Sequence, residues 1–89
     1  MIELLPHAKS QLLERKISLR EVEKTLKKAD QVVEGSSKGI KIAQKIIKKG
    51  KKNFLYRVVF KEEKETQLII TVYRTTKIKK YFKGGRHES

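Results

Sequence analysis

Residues 53–61, NFLYRVVFK, and 66–74, TQLIITVYR, constrain this chain more than any other stretch. Both alternate, and both are rich in β-branched and aromatic residues, which suits a half-buried pleated strand rather than a helix. Residues 62–65 between them, EEKE, are all charged, so the pair predicts an antiparallel hairpin with a solvated turn. Successive side chains of a strand point to opposite faces. Phe54, Tyr56, Val58 and Phe60 then share one face of the first strand, and Leu68, Ile70 and Val72 one face of the second. These form the expected core face. The other face carries Leu55, Arg57 and Val59 beside Ile69, Thr71 and Tyr73, and is the expected working surface.

The chain has 89 residues, enough for one core with little margin, so residues 1–83 are expected to form a single domain and residues 84–89 a flexible C-terminal tail. Cysteine is absent, which excludes a disulfide framework and a thiolate metal site. No apolar run approaches the roughly 20 residues of a membrane-spanning helix, and the first five residues are too short for a signal peptide's apolar region. The expected location is the cytoplasm, away from any membrane.

Charge narrows the partner. Residues 1–35 hold seven Lys/Arg against six Asp/Glu, a net of +1, whereas residues 36–89 hold sixteen against four, a net of +12. A field of that sign concentrates polyanions and speeds their encounter with the protein. A thermostable surface explains many charges but not this imbalance. Nucleic acid or a nucleotide polyanion is the leading expected partner, with an acidic protein next and a membrane surface last.

Pro6 fits the first turn of a helix, and residues 7–16 place Ala8 and Leu12 on one stripe, with Leu5 a turn earlier and Leu13 beside them. Ser18-Leu19-Arg20-Glu21 reads as a capping box that opens a second helix running to about Ala29, with Leu19, Val22 and Leu26 inward. Residues 31–35 and 40–48 are candidate strands, separated by the Gly35-Ser36-Ser37 turn signal; a helix is the rival reading of 40–48, but its isoleucines and the Gly50-Lys51-Lys52-Asn53 turn favour a strand. In the second of these, Ile40, Ile42 and Ile46 share one face and Lys41, Ala43, Lys45 and Ile47 the other. Residues 75–83 read as a final strand or one helical turn. The predicted fold class is α+β, an N-terminal helix hairpin packed on one face of a small, mostly antiparallel four-stranded sheet.

Several short motifs carry a family resemblance. They are His7-Ala8, then Glu14-Arg15-Lys16-Ile17-Ser18 and Glu21-Val22, and later Ile70-Thr71-Val72-Tyr73 followed by the basic stretch from Lys77 to Tyr81. Across roughly residues 6–81 the chain resembles the RelE/ParE-like toxin superfamily, in a subgroup of small prokaryotic domains. The resemblance implies a helix hairpin on an antiparallel sheet and, for many members, metal-independent cleavage of RNA, including ribosome-bound mRNA, with an acidic antitoxin as protein partner. Other members inhibit DNA gyrase. One departure stands out: Gln11 occupies the place of an arginine that relatives carry about four residues after the histidine.

Metal-free RNA cleavage needs a base for the ribose 2′-OH, cations for the phosphorane, a proton donor for the 5′-oxygen and a stacking group. His7 titrates nearest neutrality and is the expected acid or base, although a helix-start histidine can also simply cap or pack. Arg57 is the expected phosphate cation, since a guanidinium can grip phosphate with two donors. Tyr73 is the expected orienting or proton-donating group, completing a catalytic set of His7, Arg57 and Tyr73. Lys41 and Lys45 share the parity of Arg57 in this reading and, with Arg74, Lys77 and Tyr81, form the expected nucleic-acid-binding set. Two histidines without cysteine or a spaced carboxylate make no metal motif, and no cofactor is expected. Oligomeric state is left open. The reading is a toxin-like endoribonuclease, with a non-catalytic nucleic-acid-binding module or an antitoxin-pairing interaction domain as alternatives.

Overall fold

A computed structural model describes residues 1–82, so the expected tail at 84–89 lies outside the described residues. The elements run β1 (Ile2–Leu4), α1 (Pro6–Arg15), α2 (Leu19–Lys27), β2 (Gln31–Glu34), β3 (Ile40–Lys49), β4 (Lys52–Glu63), β5 (Thr66–Thr75) and α3 (Ile78–Tyr81). The strands form one five-stranded sheet in the order β1-β5-β4-β3-β2. All neighbours are antiparallel except β1 and β5, which run parallel.

This corrects the expected helix hairpin on a four-stranded, mostly antiparallel sheet. The sheet is mixed and has five strands, and there are three short helices among the described residues. The missed strand is Ile2–Leu4, too short for alternation to register. Backbone bonds hold it: Gln67 N–H donates to Met1 O at 2.8 Å and Leu5 N–H to Ile69 O at 3.0 Å. Nor do α1 and α2 pack chiefly on each other; α1 lies on β5, and α2 on β3 and β4.

Local chemistry sets the helix ends. Pro6 starts α1, and Lys16 ends it in the left-handed region with φ 55°. The predicted capping box opens α2: Ser18 Oγ accepts from Glu21 N–H at 3.1 Å, and Glu21 Oε1 accepts from Ser18 N–H at 3.0 Å. The inward faces differ from the apolar stripes. Leu13 is 83% and Leu19 47% exposed, while Gln11 and Thr25 are buried. Thr25 bonds its own helix at Glu21 O. Gln11 Oε1 accepts the N–H of Val72 at 2.9 Å, on the edge of β5 beyond the end of β1. A buried backbone donor needs a partner, so the glutamine at this position has a structural task.

Ala8, Ile17 and Val22 meet Ala43, Tyr56, Val58, Phe60, Ile69 and Val72 in the core. The β4 face is the one that alternation predicts. On β5 it changes partway: Val59 pairs with Thr71 but Phe60 with Ile69, so Ile70 is the extra residue of a bulge. A one-residue slip exchanges faces, which is why Ile69 joins Val72 in the core.

Within the stretch expected to be a final strand or one helical turn, Ile78–Tyr81 takes the helical alternative, and Lys83 lies outside the described residues. Helix α3 folds back over the face away from α1 and α2, where Gln44 Nε2 donates to Tyr81 O at 3.3 Å. The face expected to be open is therefore covered in part, and Leu55 and Gln44 on it are fully buried. Gly35 allows the turn before β3, since a Cβ there would stand 2.8 Å from Ile40 Cγ2. No helix among the described residues is long and apolar enough to cross a membrane.

Candidate functional site

Arg57 is the centre of the covered face. It sits in mid-β4 opposite Tyr73 on β5 and Gln44 on β3. Directly paired residues in an antiparallel sheet project to the same face, so register alone brings these three together. The Arg57 Nε–H donates to Gln44 Oε1 at 2.6 Å, and Arg57 Nη1 donates to the Tyr73 hydroxyl. Gln44 spends its amide on Gln31 Oε1 at 2.8 Å and on Tyr81 O. The guanidinium carbon lies 4.3 Å from the Tyr81 ring centroid and 5.5 Å from that of Tyr73. The two rings meet edge to face at 6.4 Å. Lys80 Nζ stands 5.3 Å from the Tyr81 ring.

Arg57 is only 9% exposed, and no carboxylate among the described residues pairs with it. A buried cation normally has a counter-charge. Here ring quadrupoles and neutral oxygens offset the desolvation, each cation–π contact contributing up to about 2 kcal/mol when water is excluded. Among the described residues no buried side-chain nitrogen or oxygen lacks a hydrogen-bond partner. The second terminal nitrogen of Arg57 is bonded to neither Gln44 nor Tyr73. The cluster can accept an anion there, flanked by two tyrosyl rings and a lysine.

A second polar network lies on the helix-bearing face. The Tyr56 hydroxyl donates to Glu21 Oε2 at 2.9 Å and accepts from Arg74 Nη1 at 3.3 Å. Lys49 Nζ lies 2.9 Å from the same carboxylate oxygen. Burial pushes the Glu21 carboxyl up, but the hydrogen bonds from Lys49, Ser18 N–H and Tyr56 outweigh it and hold the group at about 2. Burial is also the main cause that raises the Tyr56 phenol. The network ties the start of α2 to β3, β4 and β5.

A carboxyl lowered by folding stabilises the fold above its unfolded value, near 4.5, and that stability is lost as pH falls toward 2. Glu21→Gln is therefore expected to lower the melting temperature at neutral pH and to flatten its fall between pH 4.5 and 2. Circular-dichroism melts of both proteins over that range check it; parallel acid profiles would remove Glu21 as a source of the loss.

The sequence-expected site residues separate into groups. Arg57, Tyr73 and Tyr81 come together. Lys41 and Lys45 do not join them, because they pair with Phe60 and Tyr56 and so project to the opposite face. The expected three-cation cluster with Arg57 is thereby corrected; the strands are neighbours, but the parity that joined the lysines to Arg57 fails. Lys41 instead pairs with Glu62 at 3.6 Å and Lys45 with Asp30 at 3.7 Å. Arg74 is also on that opposite face, over the rings of Phe54 and Tyr56. Lys77 is exposed where α3 begins. His7 is exposed in the first turn of α1, outside the contacts of the Arg57 cluster. Gln44 and Gln31 were missed. The signal for Gln44 was present, since it holds the same parity as Ile40, Ile42 and Ile46 and is the polar exception among them.

Among the described residues no group of three or more His, Cys, Asp or Glu side chains converges as a metal site would require. Searches among curated proteins and among solved structures return no match. One family does match, over residues 4–74, a span that holds α1 through β5 and includes Arg57, Gln44 and Tyr73 but not Tyr81. With most of its length matched, the chain belongs to the family described as Domain of unknown function (DUF4258).

Proposed function

We propose that the domain is a toxin-like, metal-independent endoribonuclease that holds an RNA phosphate at the Arg57 cluster. One observation carries the reading: a nine-tenths-buried arginine, with no carboxylate partner among the described residues, held against the rings of Tyr73 and Tyr81. A cation so placed lacks a charge partner that a phosphodiester supplies, and aromatic rings beside it suit unstacked bases. The net charge of +13 favours the same partner, and the resemblance of the HA, ERKIS and ITVY segments to RelE/ParE-like toxins supplies the reaction class. In that reaction the ribose 2′-oxygen forms a bond to phosphorus and the bond to the 5′-oxygen breaks. Arg57 offsets the phosphorane charge, and Tyr73 orients the reacting nucleotide or gives the leaving oxygen its proton. His7 would supply the acid or base. The proposed setting is cytoplasmic, with mRNA, free or ribosome-bound, as substrate and an acidic antitoxin-type protein as counterpart.

The position of His7 favours a second reading, RNA binding without cleavage, because no histidine among the described residues touches the Arg57 cluster. One experiment separates the two. Purified protein is incubated with total RNA, with and without EDTA and ribosomes, and the fragment ends are mapped. Cleavage that leaves 2′,3′-cyclic phosphates and 5′-hydroxyls and survives EDTA supports the enzyme. Bound but intact RNA under every condition gives the binding module.

A further inference from the structure

Charge along the sheet is sorted by end. The acidic residues of the described sheet half, Glu62, Glu63 and Glu65, all lie at the β4–β5 turn. Two cations near that end are paired there, Lys41 with Glu62 at 3.6 Å and Lys61 with Glu63 at 3.5 Å. The other end is different. Strands β3 and β4 run on past the last β5 pair, Leu55 with Thr75, to the Lys49–Lys52 pair and a turn at Gly50 with φ 65°. This projecting turn carries Lys48, Lys51 and Lys52, all exposed, and helix α3 follows β5 after a two-residue link, bringing Lys77, Lys79 and Lys80 to the same end of the sheet. None of these six lysines has an ion-pair partner among the described residues; Lys49, bound to Glu21, is the paired exception at the turn. Lys80 leads inward, over the ring of Tyr81 that stacks on Arg57.

We infer that the lysine-tipped β3–β4 turn and α3 form one phosphate track, along which a single RNA strand runs to the Arg57 cluster, with the glutamate-rich end out of contact. The inference rests on the RNA-binding reading and gives it a direction across the fold. Unpaired exposed ammonium groups are the ones free to displace counterions from RNA, whereas paired ones exchange one anion for another. Acidic side chains at the far end repel the same backbone, so the strand has one favourable approach.

The test uses the full chain and a fluorescein-labelled oligouridylate, with affinity measured by anisotropy across a salt titration. Lys48, Lys51 and Lys52 are changed together to Gln in one variant, and Lys77, Lys79 and Lys80 in a second. A third takes Lys38, Lys61 and Lys64 to Gln and removes the same charge from the glutamate-rich end. Melting curves confirm that all three remain folded. The first two are expected to lose about 0.7 from the slope of log K against log salt for each lysine that touches a phosphate, and the third to keep the wild-type slope. Equal loss in all three variants would mean that net charge alone is being read, which overturns the track. Unchanged slopes in the first two, with the wild type still binding oligouridylate, overturn the track and leave the RNA-binding reading standing. Absence of oligouridylate binding by the wild type overturns both.

Discussion

Val58→Asp is expected to leave the chain unfolded at room temperature, with loss of the cooperative melting transition seen by circular dichroism. Val58 is fully buried in the middle of β4, between Ala43 on β3 and Val72 on β5. The substitution removes a valine side chain whose burial is worth about 1.5–3 kcal/mol. It also places a carboxylate in the apolar core between Ala43 and Val72, at a cost of several kcal/mol even if the group takes up a proton. Domains are stable by about 5–15 kcal/mol, and one of 89 residues stands toward the lower end. Val59→Asp, one position along and partly exposed on the other face, is the comparison and should melt cooperatively. Equal loss of structure in both would show that the two faces of β4 are not distinguished as described.

Alternation made the core face of β4 legible because Tyr56, Val58 and Phe60 recur at every second position and are all buried. The same reasoning placed the capping box, since Ser18 and Glu21 act through local geometry that needs no partner from elsewhere in the chain. It failed where the determining contact is distant. Three residues at Ile2–Leu4 become a strand only because the edge of β5 offers them backbone partners. Ile70 bulges, and nothing in a run of LIITV marks which residue will be extra. The parity of Lys41 and Lys45 needed the β3–β4 register, set at the Gly50 turn, to be assigned to a face. Arg57 and Tyr73 were legible as a pair on one face; that this face would be covered was not. A four-residue helix has too short a period to read, and it is Tyr81 and its carbonyl that carry α3 onto Gln44 and Arg57.

That covering changes what substitution at Arg57 can test. From strand parity alone Arg57→Ala looks harmless to the fold, but truncation would strip Gln44 Oε1 and the Tyr73 hydroxyl of their donor and free the Tyr81 ring. Unmade bonds to a charged group cost about 1.5–3 kcal/mol each, so loss of activity in that variant would not separate chemistry from folding. Arg57→Lys keeps the charge and most of the volume while it removes the planar fork. It is expected to stay folded and to bind oligouridylate within about tenfold of the wild type, an interval of 1.4 kcal/mol. Its cleavage rate should fall by about 10²–10³-fold, as when one preorganised donor to a developing anion is lost. Tyr73→Phe should reduce the rate as well, since it removes the hydroxyl but not the ring beside Arg57. His7→Ala supplies the contrast: a drop of about 10²–10⁴-fold is the range for a general acid or base. Should His7→Ala abolish cleavage while Arg57→Lys and Tyr73→Phe cleave at the wild-type rate, the reaction would belong to the start of α1 beside the β5 edge, and the Arg57 stack would be the pin that holds α3 to the sheet.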